Sequence, residues 1–308
     1  MKILLILCII LTVSLLLTGC TLVSDTEEPT SHAYTVSEDI DKIDIRINKA
    51  DFSVSIKTED IEEARLDLSY TSKASASYTV ENGTLTVTAK KENPLAILHN
   101  GANSVTLILP KKDYESLSID SSSGDITLSS LTLTKKLYID AASSDINIDN
   151  VKAGSIECEI TSGDCKIEDS YTESVSFDRT SGNLCVRNSS FSSFISHSTS
   201  GDLSISGVTV SGAASFDADS ARTEIYDSYF GSFKSDASSG DLLMKDSDAG
   251  ELYIEATSGD ISLTLLTPKN FVTNSTSGHI DVYGTVYTAP ICKISVTSGD
   301  VTVRVSEG

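Results

Sequence analysis

A short word, Thr or Ser, then Ser-Gly-Asp and an apolar residue, recurs along this chain at nearly constant spacing. Its glycines are Gly124, Gly163, Gly182, Gly201, Gly240, Gly259, Gly278 and Gly299, and degenerate copies place Ser144 and Ala221 in the two gaps. Neighbouring anchors stand 19 to 21 residues apart, so ten units follow one another without a break. Apolar residues keep step with them. Two and four residues after the anchors come pairs such as Ile126 and Leu128, Leu184 and Val186, and Ile261 and Leu263. Seven and five residues before come pairs such as Leu117 and Ile119, Leu137 and Ile139, and Leu252 and Ile254. Alternation with period two means a strand with one buried face. Each unit therefore reads as strand, tight corner, strand, then a looser return such as Glu168-Asp169-Ser170.

No unit carries enough apolar side chain to bury its own face. Stacking unit on unit in parallel ladders buries that face and pairs the backbone groups as well. The expected fold is all-β: a single-stranded β-solenoid of about ten coils, rising roughly 48 Å at ~4.8 Å per coil. A propeller blade needs ~40 residues or more, about twice this period, and a sandwich needs no fixed interval. The recurring glycine marks the corner, where the backbone takes a conformation other residues resist. Ser and Asp beside it are suited to hydrogen-bond nearby backbone.

The residues after the anchors form a column rich in Asp: Asp125, Asp145, Asp164, Asn183, Asp202, Arg222, Asp241, Asp260, His279 and Asp300. Two readings are open, capping of the corners and binding of cations. The interruptions at Arg222 and His279, and the single acid per coil, fit calcium-binding repeats poorly. By register Cys158, Cys165 and Cys292 point inward and Cys185 outward, with a Cys158–Cys165 bridge left open. No Cys or His pairing has metal-site spacing, and neither a metal nor a cofactor is expected.

At the start of the chain, Lys2 precedes an apolar run, Ile3 to Leu17, that ends in Leu17-Thr18-Gly19-Cys20. A basic start, a short apolar core and small residues before a cut describe a secretory signal. The run is short of the ~20 residues a spanning helix needs. The tetrapeptide resembles the lipobox of bacterial lipoproteins, which implies cleavage before Cys20 and a diacylglycerol on its sulfur. The expected organisation is a signal peptide over 1–19, a flexible tether over 20–34, an irregular β cap over 35–115 and the solenoid over 116–308. In the cap segment Ile43, Ile45 and Ile47 alternate, and Asn82-Gly83 signals a hairpin. The far end, Val301 to Gly308, has no obvious cover, which leaves Arg304 or a partner strand to blunt it.

The formal net charge of −21 argues against nucleic acid and anionic headgroups as partners. The acids read as spread along the chain. No nucleophile elbow, phosphate loop or zinc-protease helix is present in the sequence. Lys166, Arg187 and Arg222, the candidates for a polysaccharide-cleaving site, stand at different offsets from the anchor, so no enzyme is expected.

Words such as Ser123-Gly124-Asp125-Ile126 and Ser258-Gly259-Asp260-Ile261, after an irregular β start and a membrane signal, resemble the bacterial "putative adhesin" family of unknown function. The resemblance spans about residues 35 to 308. It implies a β-solenoid in the cell envelope and supplies no catalytic residues. Two functions follow as expectations. One is a lipid-anchored binding module for cell-wall glycan or another surface protein, with Tyr138, Tyr171 and Tyr229 as contacts. The other is an accessory of envelope-stress sensing that binds a membrane protein.

Overall fold

The computed structural model describes residues 27–92 and 103–306, and every helix-or-strand element within them is a strand. Each repeat supplies a long strand that runs up to the glycine word and a short one that begins just after it, as in Thr132–Ser143 and Ile146–Asp149. Long strands stack in parallel on long strands: Leu137 lies beside Leu117 on one side and Ile156 on the other. Short strands do the same, with Ile146 between Ile126 and Cys165. Two parallel sheets run along the rod, and strand Leu242–Ser258 passes from one to the other. The protein is a β-solenoid.

The inward columns interlock by alternating bulk. Successive coils carry Phe194 with Ser196, Ala214 with Phe216, and Phe233 with Ser235, so each large ring lies over a small neighbour. The rings meet edge to face, Phe194 and Phe216 at 5.0 Å and Phe216 and Phe233 at 5.5 Å. That edge-to-face geometry suits the aromatic quadrupole. Cys158, Cys165 and Cys292 are buried in the same interior, Cys185 is half-exposed, and all four are free thiols. Burial pushes the Cys165 and Cys292 thiols up to about 12. Arg179 is also buried; its Nη1 donates to the Gly182 carbonyl at 2.7 Å, and burial lowers its pKa.

The glycine corner has two physical causes. Gly182 has φ of +99°, and a Cβ there would lie 1.9 Å from the Gly163 carbonyl oxygen one coil below. The corner therefore needs glycine for close stacking as well as for its dihedral. The second corner of each coil also uses positive φ, at Ser130, Asn150, Asp169, Asn188, Gly207, Asp227 and Asp246. Asn and Asp tolerate that region better than other side chains. Just beyond it lies a ladder of buried serines. Ser170 Nα–H donates to Ser189 Oγ at 3.1 Å, and Ser228 N–H donates to Ser247 Oγ at 3.0 Å, which satisfies backbone groups that no water reaches.

The order of coils in space departs from their order in sequence at both ends. Strand Lys42–Asp51 pairs with Asp113–Ser123 on one edge and Thr84–Lys91 on the other. Strand Ser53–Glu59 sits likewise between Ile126–Ser129 and Ser104–Pro110. Residues 35–115, expected as an irregular cap, thus add two regular levels to the rod. The covering elements are antiparallel: Ala74–Glu81 against Thr84–Lys91, Ala64–Tyr70 against Ser104–Pro110, and Thr30–Val36 against Ala64–Tyr70. The first residues of Thr30–Val36 fall in the segment expected to be a tether; backbone pairing with Ala64–Tyr70 orders them.

At the other end, strands Ile291–Ser298 and Val301–Val305 pair with the coil of Leu252 and Ile261 on one side. On their other side they pair with Asn270–Ser277 and Ile280–Val282. The chain climbs past one level, lays down residues 270–282, and returns to fill the gap. The terminal edge is therefore 270–282; strand Val301–Val305 lies between neighbouring coils with Arg304 exposed on its outer face, which corrects the expectation that the segment from Val301 forms the open end. The signal peptide and the lipobox Cys20 lie outside the described residues.

Candidate functional site

The Asp column finds its partners within the stack. Asp145 Oδ1 accepts the Asp164 N–H at 2.8 Å, Asp164 Oδ1 accepts the Asn183 N–H at 2.8 Å, and Asn183 Oδ1 accepts the Asp202 N–H at 2.9 Å. The line ends as Asp202 Oδ1 accepts the Arg222 N–H, then resumes from Asp241 to Asp260. Asp260 Oδ1 accepts from Asp300 and Asp300 Oδ1 from His279, following the exchanged order of the last coils. The carboxylates of Asp145, Asp164, Asp202, Asp241, Asp260 and Asp300 each take a neighbour's corner amide, a stabilising charge-assisted bond. These contacts support the capping reading over the cation reading.

The basic residues weighed as a lyase site do not converge. Lys166 pairs with Glu168 on its own strand and holds that carboxyl below the usual range. Arg222 pairs with Glu224 at 3.1 Å, on a strand two coils beyond the Arg187 strand. Lys166 and Arg222 are matched locally; Lys166 and Arg187 border one groove, but Arg222 lies apart from it, so the three face no common substrate position.

The outer face of the long-strand sheet carries what sequence order concealed. Asp120, Asp140, Glu159, Asp178, His197, Asp217, Asp236 and Glu255 stand side by side on successive coils, all exposed. Acids that look dispersed in the sequence form one stripe, because they share an offset from the anchor. Within it the Asp140 carboxyl is raised above its ordinary pKa by partial desolvation at its base, with Asp120 and Glu159 adding to the effect. His197 Nδ1 lies 3.5 Å from Asp217 Oδ2.

Further along the same coils, Tyr171, Ser190, Thr209 and Tyr229 form another register column. Tyr171 and Tyr229 are 53% and 50% exposed, three coils apart, or roughly 14 Å at ~4.8 Å per coil. Beside Tyr171 runs a shallow groove of about 480 Å³ lined by Gly154, Thr172, Ser190, Ser192 and Ser211. A second glycine column, Gly154, Gly212, Gly231 and Gly250, keeps this strip narrow; a Cβ at Gly231 would lie 2.4 Å from the Ser211 carbonyl oxygen. That column repeats at the coil period and was legible, but the stronger Ser-Gly-Asp word masked it. Tyr138 lies apart from this strip. It is half-buried, its hydroxyl bonds Glu159 at 3.2 Å, and Lys136 covers its ring at 4.4 Å.

Stacked coils, glycine corners and an antiparallel lid define the class: a non-globular parallel β-solenoid. A family model described as Toastrack DUF4097 matches residues 40–228 and again 223–308. The chain belongs to the Toastrack DUF4097 family. Among solved structures, a "putative adhesin" from Parabacteroides distasonis ATCC 8503 is similar with a TM-score of 0.51 at 12% identity, over 90% of this chain and 98% of that one. A "putative lipid binding protein" from the same strain gives 0.48 at 15% identity, covering 91% and 98%. A "putative adhesin" from Bacteroides fragilis NCTC 9343 gives 0.41 at 11% identity, with 91% and 98% covered. At such identities the likeness is one of fold. No functionally curated protein matches the chain.

Proposed function

We propose that this chain is a non-catalytic, adhesin-like rod of the cell envelope that holds a surface glycan along the strip between Tyr171 and Tyr229. One observation carries the reading: two exposed tyrosines share a column three coils apart, and the first of them, Tyr171, borders a groove whose lining includes Thr172, Ser190, Ser192 and Ser211 beside Lys152 and Glu173. Aromatic faces offer flat apolar contact to a sugar ring, and serine and threonine hydroxyls both donate and accept. The acidic stripe on the neighbouring face repels anionic polymers, so the ligand is a neutral or amino-bearing glycan. Tethering through a lipid on Cys20 belongs to the same proposal.

The test is retention of the purified protein on immobilised cell-wall glycan. Tyr171→Ala and Tyr229→Ala are each expected to weaken retention several-fold, the loss of ~0.5–1.5 kcal/mol of ring contact. Retention unchanged in the double variant sinks the proposal. Mass analysis of the membrane fraction tests the tether, through loss of lipid in Cys20→Ser.

A further inference from the structure

We infer that the open end of the rod, strands Asn270–Ser277 and Ile280–Val282 with the segment after them, is a docking surface for a second copy of this chain. Among the described residues, no strand pairs with the outer edge of Asn270–Ser277 or Ile280–Val282; the following segment touches that edge only at its start, where Lys269 bridges Thr285. Phe271, Ile280 and Val282 occupy inward positions, yet they are only half-buried because no coil lies over them. Around them Val272, Tyr283, Val286 and Tyr287 are exposed, the last at 85%. The end of the core is thus uncovered together with a row of free backbone donors and acceptors.

Edges of this kind are ordinarily blunted by charge, proline in the strand or a covering segment. Here neither edge strand contains lysine, arginine or proline, and the one acid, Asp281, is held by His279 at 3.0 Å. The opposite end of the same rod shows what these sheet edges accept. There Ala74–Glu81 and Ala64–Tyr70 add antiparallel to the outermost coil, and its inward residues, such as Leu85 and Leu107, are fully buried.

The charge distribution selects the occupant. Residues 270–290 contain one formal charge in a chain of net −21. Elsewhere two copies would bring acidic faces together; at this end they meet with little repulsion. Facing ends related by a two-fold axis run their strands antiparallel, and such an isologous contact closes at two copies. The covered end stops growth into a fibre. Because Thr30–Val36 lies at the covered end, the Thr30–Val36 strands of the two rods stand at opposite, outer ends of the pair. On the surface-tethered reading above, rods from opposing surfaces would meet tip to tip.

Sedimentation of the full chain tests the contact. The wild type is expected to be a dimer at micromolar concentration. Tyr287→Glu and Val272→Glu, both at solvent-exposed positions, are expected to weaken it at least about tenfold by placing like charges across the two-fold. A monomeric wild type, or a dimer unmoved by both variants, overturns the inference. Circular dichroism of each variant guards against misfolding, and Tyr287→Glu touches no core residue. Docking between two vesicle populations carrying the lipidated chain reads the opposed arrangement. A chain that dimerises in sedimentation but does not dock vesicles refutes the tip-to-tip arrangement between surfaces and leaves the end-to-end contact standing. A Tyr171→Ala, Tyr229→Ala variant that dimerises normally while losing glycan separates this inference from the glycan reading.

Discussion

Lys269 Nζ lies 2.7 Å from Asp248 Oδ1, and both side chains are almost wholly buried, at 2% and 5% exposure. Thr267 Oγ1 donates to the other carboxylate oxygen, and Asp248 Oδ1 also accepts the Ala249 N–H. The pair sits where the chain climbs past one level on its way to strand Asn270–Ser277. A buried pair adds little net stability, but removing one partner strands a charge away from water. Lys269→Met is expected to cost about 3–5 kcal/mol in chemical denaturation. Lys269→Met with Asp248→Leu is expected to recover most of that loss. If the double variant is no better than the single one, the crossing is held by something else.

The glycine corners make a paired prediction. Gly182→Ala drives a Cβ into the Gly163 carbonyl at positive φ and is expected to lower stability by about 2–4 kcal/mol. Ala221 holds the same register position without positive φ. Ala221→Gly is therefore expected to change stability by no more than the ~0.5–1 kcal/mol of added chain freedom. Thermal melts of the two variants check the contrast.

The acidic stripe gives the stability a pH signature. A carboxyl whose pKa rises on folding adds stability below its unfolded value of ~3.9 and loses it as pH climbs through the raised value. Asp140 is raised, first by partial desolvation at its base and then by Asp120 and Glu159. Its ionised form thus works against the fold at neutral pH. Asp140→Asn is expected to raise the melting temperature slightly at pH 7, solvent screening at this exposed site keeping the gain small. The gain should vanish near pH 3, where the native carboxyl is protonated as well. An equal gain at both values rules out this electrostatic cause.

Thiol labelling reports the register directly. Burial keeps the Cys158, Cys165 and Cys292 thiols protonated, whereas Cys185 is partly open to solvent. Of these four, only Cys185 is expected to react with a maleimide in the native protein, and all four after denaturation. Mass spectrometry of the labelled peptides decides it. Native labelling of Cys158 would mean that its column faces outward.

The solenoid was legible because its signal is local and repeated: Gly163, Cys165 and Ile167 describe one coil, and Gly182, Leu184 and Val186 describe the next. The order of coils was not. Every coil presents the same apolar columns, so residues 291–305 fit above residues 261–265 as well as residues 270–282 would. What selects the order lies in the crossing segments, above all in the Lys269–Asp248 contact, which no period announces. The coil of Lys42–Asp51 escaped notice for a related reason: Phe52, where later coils have glycine, stands at its corner. The acidic stripe went unseen because Asp, Glu and His share it, and only the three-dimensional register adds them together. Tyr171 and Tyr229 were visible as exposed aromatics, but their common column was not, since 58 residues separate them in the chain.

The exchanged order of the end coils has a mechanical consequence. Strands Lys42–Asp51 and Ile291–Ser298 are each gripped along both edges, so once Thr30–Val36 has left its single ladder with Ala64–Tyr70, a load cannot peel the coils apart one ladder at a time. It must shear two ladders together, and the outermost coils act as clamps on the segments through which tension enters.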